Sequence, residues 1–539
     1  MTNLTQDEYN KEEFLYPRAN SKNADINIWS VFPAIKNFGM SALGFLSIFK
    51  MFDMREDYFV ERIFSDTQTT KIPYKDVDVL FLSFIFEFDI LQIFKIFDRY
   101  NIPYKSKDRD ESHPIVIIGG PVMCANPEPF CEFFDCITIG DAEQSDKELI
   151  DVIRNNRHLS KKEILEKLSQ IDWVYVPAQT SFDEEKRKTT KDGKPFTIKR
   201  RAFALQNCIA TPILTENSFF KRTYVIEIAR GCPMRCGFCL ASYMTLPTRH
   251  PKYEDIIERI DFGLQHTNKI ALLGALISSH PDFDRICQYL YDKSKDIPDL
   301  QISVSSLRAD LISDISVKML VAGGQKHSTI AIEAGSERLR RVINKHLSNE
   351  QIRQAIKTCQ QNGLKGLKIY AMIGLPTEDM QDLKELVELI KSLKKEFKGF
   401  DLSLSFATFV PKAQTPFQYA PRDDSKSLDK KYAYLKKEFA KIGVQISTSS
   451  VKWDYYQALL ARGDRRFSDY LIDVHKAGGN LGAFKKVYKE YVKQGKLPNS
   501  DDIALNAIDT NSNLPWGYVT SCITQEDLKQ EYKRLMNLA

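Results

Sequence analysis

Short apolar runs rich in β-branched residues recur along this chain, and amphipathic helical patterns separate most of them. This alternation predicts strands that alternate with helices, and therefore an α/β fold with parallel sheets. The later half of the chain contains six such runs, at Tyr224–Ala229, Lys269–Gly274, 300–305, 328–333, Gly366–Ile373 and 402–407. Six strand–helix units predict a partial (β/α)6 barrel of the TIM type, with its site at the carboxyl ends of the strands.

The earlier half has a similar pattern with five apolar runs, at Ile26–Phe32, Tyr58–Phe64, 77–84, 114–120 and 136–140. They predict a doubly wound, Rossmann-like (flavodoxin-like) domain. Such sheets bind ligands at the carboxyl ends of their strands. The candidates at these ends are Gly39, Ser83, Gly119, Gly120 and Gly140.

Changes in pattern divide the chain into five predicted segments. A polar tail covers residues 1–24, the Rossmann-like domain 25–170, and a linker 171–220. The linker contains Asp192-Gly193, a dipeptide typical of a hairpin turn. The barrel is expected over residues 221–425, and a mostly helical region rich in lysine over 426–539.

Three of the ten cysteines stand at C-x-x-x-C-x-x-C spacing directly after the first barrel strand: Cys232, Cys236 and Cys239. Such spacing favours a metal site. Zinc is one alternative, but structural zinc takes four ligands and no second pair lies nearby. A disulfide is disfavoured, because the polar start of the chain does not look like a secretory leader. A cubic iron–sulfur cluster held by three thiolates would leave one iron open for chemistry.

With this triplet, residues 222–421 resemble a radical S-adenosylmethionine (SAM) core. The resemblance implies that Cys232, Cys236 and Cys239 ligate a [4Fe-4S] cluster and that Phe238 lies near the adenine of SAM. Two further segments, 332–339 and 370–378, resemble those that contact the cofactor. The cofactor-binding candidates are Phe238, Gly274, Arg308, Glu333, Gly335, Ser336, Ile373 and Gly374.

Two of these candidates carry qualifications. The Gly-Gly-Glu that the family commonly has after its second strand is replaced here by Leu273-Gly274-Ala275-Leu276, so the methionyl amine needs another contact. Arg308 could clamp a carboxylate with its planar guanidinium, or it could be an ordinary solvated charge. The resemblance implies reductive cleavage of SAM to a 5′-deoxyadenosyl radical, with electrons from an external reductant such as flavodoxin or ferredoxin.

Residues 117–143 resemble the cobalamin-binding domain that precedes many radical SAM cores, which implies cobalamin-assisted methyl transfer or a radical rearrangement. The D-x-H-x-x-G loop that supplies a cobalt-binding histidine in some such domains is missing at 33–39. A literal match at 473–478 ends in Gly478-Gly479, which is typical of a helix stop. We therefore interpret that match as coincidence. Two alternatives stay open for the domain: it binds cobalamin without a histidine, or it keeps the fold for packing alone.

Two alternatives stay open. A methylthiotransferase-like enzyme that modifies tRNA or protein would need a second cluster, for which Cys124, Cys131 and Cys136 are the nearby thiols. Their spacing and apolar surroundings favour buried small side chains instead. The other alternative is a cluster-bearing sensor or scaffold that binds SAM without cleaving it.

Composition and charge restrict the possible functions less than the motifs do. The formal net charge is +5 and the basic run 426–441 is interrupted by acidic residues and aromatics, so dedicated nucleic-acid binding has weak support, although RNA stays open as a substrate. No window reaches eighteen uninterrupted apolar residues. We expect a cytoplasmic enzyme with no membrane partner, whose substrate the sequence does not name.

Overall fold

The computed structural model describes residues 11–19, 24–185, 187–205 and 208–538, and most of its paired strands are parallel. The strands are β1 (Glu13–Phe14), β2 (Ile26–Phe32), β3 (Tyr58–Phe64), β4 (Val79–Ser83), β5 (Ile115–Gly119), β6 (Cys136–Thr138), β7 (Val174–Tyr175), β8 (Thr180–Phe182), β9 (Lys188–Thr190), β10 (Ile198–Lys199), β11 (Ile213–Leu214), β12 (Tyr224–Ala229), β13 (Lys269–Gly274), β14 (Gln301–Val304), β15 (His327–Glu333), β16 (Gly366–Ile373), β17 (Asp401–Thr408), β18 (Gln445–Thr448) and β19 (Val519–Thr520).

Helices follow most of the parallel strands. Their bounds are Lys36–Gly39, Leu43–Asp53, Ile90–Tyr100, Pro121–Ala125, Asp151–Asn155, Lys161–Leu168, Ala241–Met244, Tyr253–Leu264, Phe283–Asp296, Asp314–Ala322, Glu337–Val342, Asn349–Gln361, Met380–Glu396, Ser425–Lys441, Val451–Ala461, Phe467–Lys476, Leu481–Lys493, Ser500–Ala504 and Gln525–Met536. None of these helices is both long and apolar enough to span a bilayer.

The first sheet has the order β3-β2-β4-β5-β6-β7, in which the first five strands are parallel and β7 is antiparallel to β6. In chain order the parallel strands read 2-1-3-4-5, which is the flavodoxin-like order. The helices Leu43–Asp53 and Lys161–Leu168 pack on one face, and Ile90–Tyr100 packs on the other. The doubly wound prediction therefore holds for this sheet.

The helical C-terminal region is not independent of the first sheet. One buried cluster contains Trp29 of β2 and Phe94 of the helix Ile90–Tyr100. It also contains three residues of the C-terminal helices, Phe467, Tyr470 and Phe484. Helices far along the chain therefore complete one face of the N-terminal core.

The second module has two parallel sheets, β12-β13-β14 and β15-β16-β17-β18, linked by a single bridge between Leu307 and Ile330. All six predicted strands are present. The structure adds a seventh, β18, beyond the predicted boundary at residue 425. Gln445 and Ser447 of this strand are polar and exposed, so Gln445–Thr448 lacks the apolar run that identified the other six.

The linker is built from short pairs. β8 and β9 form an antiparallel pair, and the Asp192-Gly193 turn follows it, with Thr190 N donating to Lys194 O at 2.8 Å and Gly193 at φ +82°. Of the predicted polar tail, residues 1–10 and 20–23 lie outside the described residues. Residues 11–19 include β1, which pairs with β11 and so is tied to the fold.

Candidate functional site

The three predicted cysteines lie in one loop that follows β12 at the carboxyl end of its sheet. The backbones of Arg230 and Arg249 close the base of this loop by exchanging two hydrogen bonds of 2.9 and 2.8 Å. We call residues 230–249 the cysteine loop. Its closed base restricts where the three thiols can lie.

The thiols are partly or wholly buried and lie near one another. Burial raises the pKa of Cys236 to about 12, and it also raises the pKa of Cys239 despite hydrogen bonds from Ser242. Negative charge on Cys239 would interact with charge on both Cys236 and Cys232. In the part of the chain that the structure describes, no three Cys, His, Asp or Glu side chains already stand at metal-binding distances. Three neighbouring thiols are still the donor set of an iron–sulfur cluster, and bound iron would stabilise the thiolates that burial disfavours.

A segment of the neighbouring sheet's loop supports the cysteine loop. Gly237 N donates to Ile343 O at 3.0 Å, and Asn344 Nδ2 donates to Arg235 O at 2.8 Å. Arg235 and Asn344 have φ of +50° and +58°, in the left-handed region that non-glycine residues rarely adopt. Strained backbone of this kind concentrates at functional sites.

Lys345, which sequence reasoning missed, lies beside the predicted site residues. Its Nζ is 3.3 Å from Glu333 Oε1, and its positive charge acts on the Cys236 thiol. Arg308 is buried and already engaged, because its guanidinium reaches the Lys345 carbonyl and Asp310 Oδ1, the latter at 2.7 Å. The structure therefore brings Glu333 and Arg308 together around a lysine that no motif indicated.

Two predicted residues after β15 mainly shape the following helix. Ser336 Oγ accepts from Leu339 N at 3.0 Å and donates to the Asp382 carboxylate, so it begins the helix Glu337–Val342. A side chain on Gly335 would come within 2.4 Å of Asp382 O. The local structure therefore requires both residues, whether or not they contact a cofactor.

The predicted residues after β16 lie at a buried carboxylate. Gly374 has φ +73°, and its N–H donates to Glu378 Oε1 at 2.8 Å. Glu378 pairs with Lys431 at 2.7 Å, and burial raises the pKa of Glu378 to about 7. Ile373, just before the turn, is fully buried.

The other two predicted cofactor contacts, Gly274 and Phe238, differ in their surroundings. A Cβ on Gly274 would lie 2.7 Å from Ala229 O, so glycine is needed where β12 and β13 end side by side. Phe238 is half-buried against a small apolar cluster that contains Leu339 and Phe417.

The N-terminal module holds the base of the cysteine loop. Asp141 follows β6 and pairs with Arg249 and, at 3.5 Å, with Arg230. Arg230 also pairs with Glu143 at 2.6 Å and with Glu227 at 2.7 Å. The acidic pair after β6 therefore connects the first sheet directly to the two residues that close the loop.

All five predicted cobalamin residues lie at or just beyond the carboxyl ends of the first sheet's strands. The four glycines are also required by the protein's own packing. The atoms that an added Cβ would meet within 2.3 Å are Phe64 Cε1 for Gly39, Thr138 Oγ1 for Gly119, Phe84 O for Gly120 and Arg201 O for Gly140. These close contacts are with protein atoms, so they do not by themselves form an empty cradle for a flat ligand.

Exposed apolar side chains occupy the same edge at the point where the strand order reverses, between β2 and β4. Ligands of doubly wound sheets bind in the crevice at this point. The residues are Ile35 (46% exposed), Phe38 (55%), Ile85 (48%) and Phe86 (44%), which we call the apolar strip. Sequence reasoning missed them, since only the strand order and the exposure identify them.

The remaining thiols and the literal D-x-H-x-x-G match have structural roles. Cys124, Cys131 and Cys136 are buried, and burial raises the pKa of Cys124 to about 11. His475 lies near the end of the helix Phe467–Lys476 and bonds Asp98 Oδ2 at 2.6 Å. The predictions of buried thiols and of a helix stop are confirmed.

Family comparisons agree with this geometry. A family model described as "Radical SAM proteins, N-terminal" matches residues 44–177, and one described as "Radical SAM superfamily" matches residues 226–390. An uncharacterized protein of Methanocaldococcus jannaschii is 31% identical over 416 residues, which are 76% of this chain and 84% of that protein. An uncharacterized methyltransferase of Pyrococcus horikoshii is 24% identical over 304 residues, 52% of this chain and 59% of that protein.

Two solved structures share the fold. One is the radical SAM methyltransferase TsrM from Kitasatospora setae with cobalamin and a [4Fe-4S] cluster bound, with a TM-score of 0.51, 12% identity, and coverage of 74% of this chain and 77% of that one. The other is the cobalamin-dependent SAM radical enzyme OxsB with aqua-cobalamin bound, with a TM-score of 0.52, 14% identity, and coverage of 95% and 80%.

Proposed function

We propose that this chain, which belongs to the radical SAM superfamily, is an enzyme that reductively cleaves SAM at a [4Fe-4S] cluster held by Cys232, Cys236 and Cys239. The single observation that carries the proposal is the closed cysteine loop at the carboxyl end of β12. When bound, the cluster would supply the electron that cleaves SAM to a 5′-deoxyadenosyl radical and methionine.

The chain's own residues give this chemistry a fixed setting. In this proposal the two parallel sheets of the second module form the partial barrel, and the cysteine loop lies on its rim. Lys345 and Glu333 place a charge pair beside Cys236, where positive charge favours a thiolate. The turn at Gly374, which its hydrogen bond to Glu378 holds in place, would lie beside the adenine end of SAM.

We further propose that the apolar strip carries cobalamin and that the reaction is a methyl transfer. A flat, largely apolar macrocycle suits four half-exposed large side chains at the point of strand reversal. The two solved structures that share the fold both contain cobalamin, and one of these enzymes is a methyltransferase, which supports the proposal. No histidine lies between residues 33 and 39, so cobalt would have no histidine ligand from this loop.

The test of SAM cleavage compares thiols inside and outside the loop. Anaerobically reconstituted protein should hold about four iron atoms and should form 5′-deoxyadenosine when reduced. Cys236→Ala should lose this activity, whereas Cys522→Ala, at an exposed thiol outside the loop, should keep it. A Cys236→Ala enzyme that forms 5′-deoxyadenosine at the wild-type rate would contradict the assignment. About eight iron atoms would instead favour the two-cluster alternative.

The test of cobalamin binding uses the apolar strip. Phe38→Asp/Ile85→Asp should weaken hydroxocobalamin binding about tenfold or more, since each buried apolar side chain is worth about 1.5–3 kcal/mol. Met380→Asp/Leu538→Asp changes two other exposed apolar residues, which are 41% and 42% exposed, and should bind normally. Equal corrinoid retention by both double variants after gel filtration would refute the assignment of the strip.

A further inference from the structure

The cysteine loop reaches the protein surface beside two helices. Arg235 lies in the loop and its side chain is exposed. The helix Gln525–Met536 packs against the loop, because a Cβ on Gly237 would lie 2.8 Å from Leu535 Cδ1. The helix Glu337–Val342 packs beside the C-terminal helix. The outer face of the predicted cluster site is therefore made from three separate elements.

Hydrogen bonds hold these elements in one arrangement around Asn344. Its Nδ2 donates to Arg235 O at 2.8 Å, and its Oδ1 accepts from Arg534 Nη2 at 3.0 Å. Its backbone N–H donates to Arg341 O at 3.0 Å. One asparagine thus connects the cysteine loop to both helices, and a partner bound on these helices would lie next to the loop.

This surface carries an excess of cations. Arg235, Arg341, Lys533 and Arg534 are exposed, and we call them the basic face. Arg534 pairs with Glu531 at 2.7 Å, and the charge of Arg235 acts on the nearby Asp527 carboxylate. Among the described residues, no carboxylate lies within ion-pair distance of Arg235, Arg341 or Lys533, so four cations still face two acidic residues. Lys533 and Arg534 also lie in the last turn of their helix, where cations are ordinarily favourable. Helix electrostatics does not explain Arg235, which is in the loop.

We propose that the basic face docks an acidic, low-potential one-electron donor protein, such as a small flavin or iron–sulfur protein. This inference rests on the proposed function, because cleavage of each SAM requires one electron at the cluster. The donor is oxidised by one electron as the cluster is reduced by one. Unpaired cations around an electron entry point steer an acidic partner and raise its association rate, in a manner that salt screens. Transient redox contacts of this kind are small and polar.

The experiment separates protein-mediated from small-molecule reduction. Reduced flavodoxin serves as the acidic probe, and photoreduced deazaflavin serves as a neutral small reductant. Arg341→Glu/Lys533→Glu should lower the flavodoxin-driven rate of 5′-deoxyadenosine formation about tenfold at low ionic strength. The deazaflavin-driven rate should not change, and the difference between variants should shrink at high salt.

The matched control makes the same charge change elsewhere. Lys436→Glu/Lys437→Glu alters two exposed lysines of the helix Ser425–Lys441 and should keep the wild-type flavodoxin rate. Equal slowing in both double variants, or in neither, would overturn the proposal. If the wild type forms no 5′-deoxyadenosine with deazaflavin, the proposed function fails. Salt-dependent binding of flavodoxin to the wild type and both variants then still decides whether the basic face is the docking surface.

Discussion

The substitution Glu128→Gln should destabilise a contact that joins four distant parts of the chain. Glu128 is fully buried and accepts hydrogen bonds from Lys188 Nζ at 2.8 Å and the Tyr518 hydroxyl at 2.6 Å. It also accepts from the Tyr175 hydroxyl at 3.0 Å and from Arg465 Nε at 3.3 Å. The first sheet, the linker and two C-terminal segments therefore share one carboxylate.

The expected magnitude follows from the burial of both charges. Burial alone would raise the pKa of Glu128, but the charges of Lys188 and Arg465 outweigh it and hold that pKa below its ordinary value of 4.5. The carboxylate's contribution to stability is therefore complete above about pH 4.5 and is lost as pH falls through the lower folded value. Breaking a buried pair from one side costs about 3–5 kcal/mol, because a buried charge stays uncompensated. With a urea dependence of about 3 kcal/mol per molar, the unfolding midpoint should fall by about 1 M or more.

A double-mutant cycle tests the cause of the loss. Lys188→Met should also destabilise, but Glu128→Gln/Lys188→Met should cost clearly less than the sum of the single changes, because it leaves neither of the two charges unpaired. Glu132→Gln, in the same segment but at a partly exposed pair with Lys105, should lower the free energy of unfolding by no more than about 1 kcal/mol. Additive losses in the cycle, or a wild-type midpoint for Glu128→Gln, would refute the reasoning.

Three further outcomes are expected. Asp141→Asn removes the negative charge that Arg230 and Arg249 share, so the reconstituted variant should bind iron about tenfold more weakly in a competition with a chelator, and circular dichroism should show an unchanged N-terminal fold. Gly120→Ala places a Cβ 2.3 Å from a backbone carbonyl at φ +125°, and it should lower the thermal midpoint by several degrees or prevent soluble expression. Burial raises the pKa of Glu378 to about 7, so between about pH 5 and pH 7 the folded chain keeps a proton that the unfolded chain releases. The free energy of unfolding should therefore decrease as the pH rises through this range, and Glu378→Gln should reduce that pH dependence in urea titrations.

Much of the fold was predictable because most of its parallel strands bury at least one apolar face. Tyr224–Ala229 and Gly366–Ile373 have the predicted bounds, because buried apolar side chains recur at alternate positions of each. β18 escaped because only Ile446 of its four residues is apolar. The shared core of Trp29 and Phe484 also escaped, because periodicity shows which face of a helix is buried and not which sheet buries it.

The candidate site was predictable only where the spacing of residues along the sequence indicates their chemistry. Three thiols within eight residues indicate a metal site from the sequence alone. Lys345 belongs to the site because its Nζ lies 3.3 Å from Glu333 Oε1, and only the tertiary structure shows that contact. The predicted glycines were found for a valid reason, close approach of backbone, but the approaching atoms belong to the protein, as at Gly120 and the Phe84 carbonyl. Sequence shows that space is needed at such a glycine, and only the structure shows what fills it.

Two contacts between the modules leave the apolar strip uncovered. Asp141, after β6, holds the cysteine loop, and Glu87, directly after Phe86 of the strip, pairs with Lys412 after β17. An interface with only a structural purpose would also cover the four side chains of the strip. Each is about half exposed, so covering all four would gain about 3–6 kcal/mol. Proteins are only marginally stable, so leaving this gain unused at the strand reversal of a doubly wound sheet is consistent with a strip that a ligand covers.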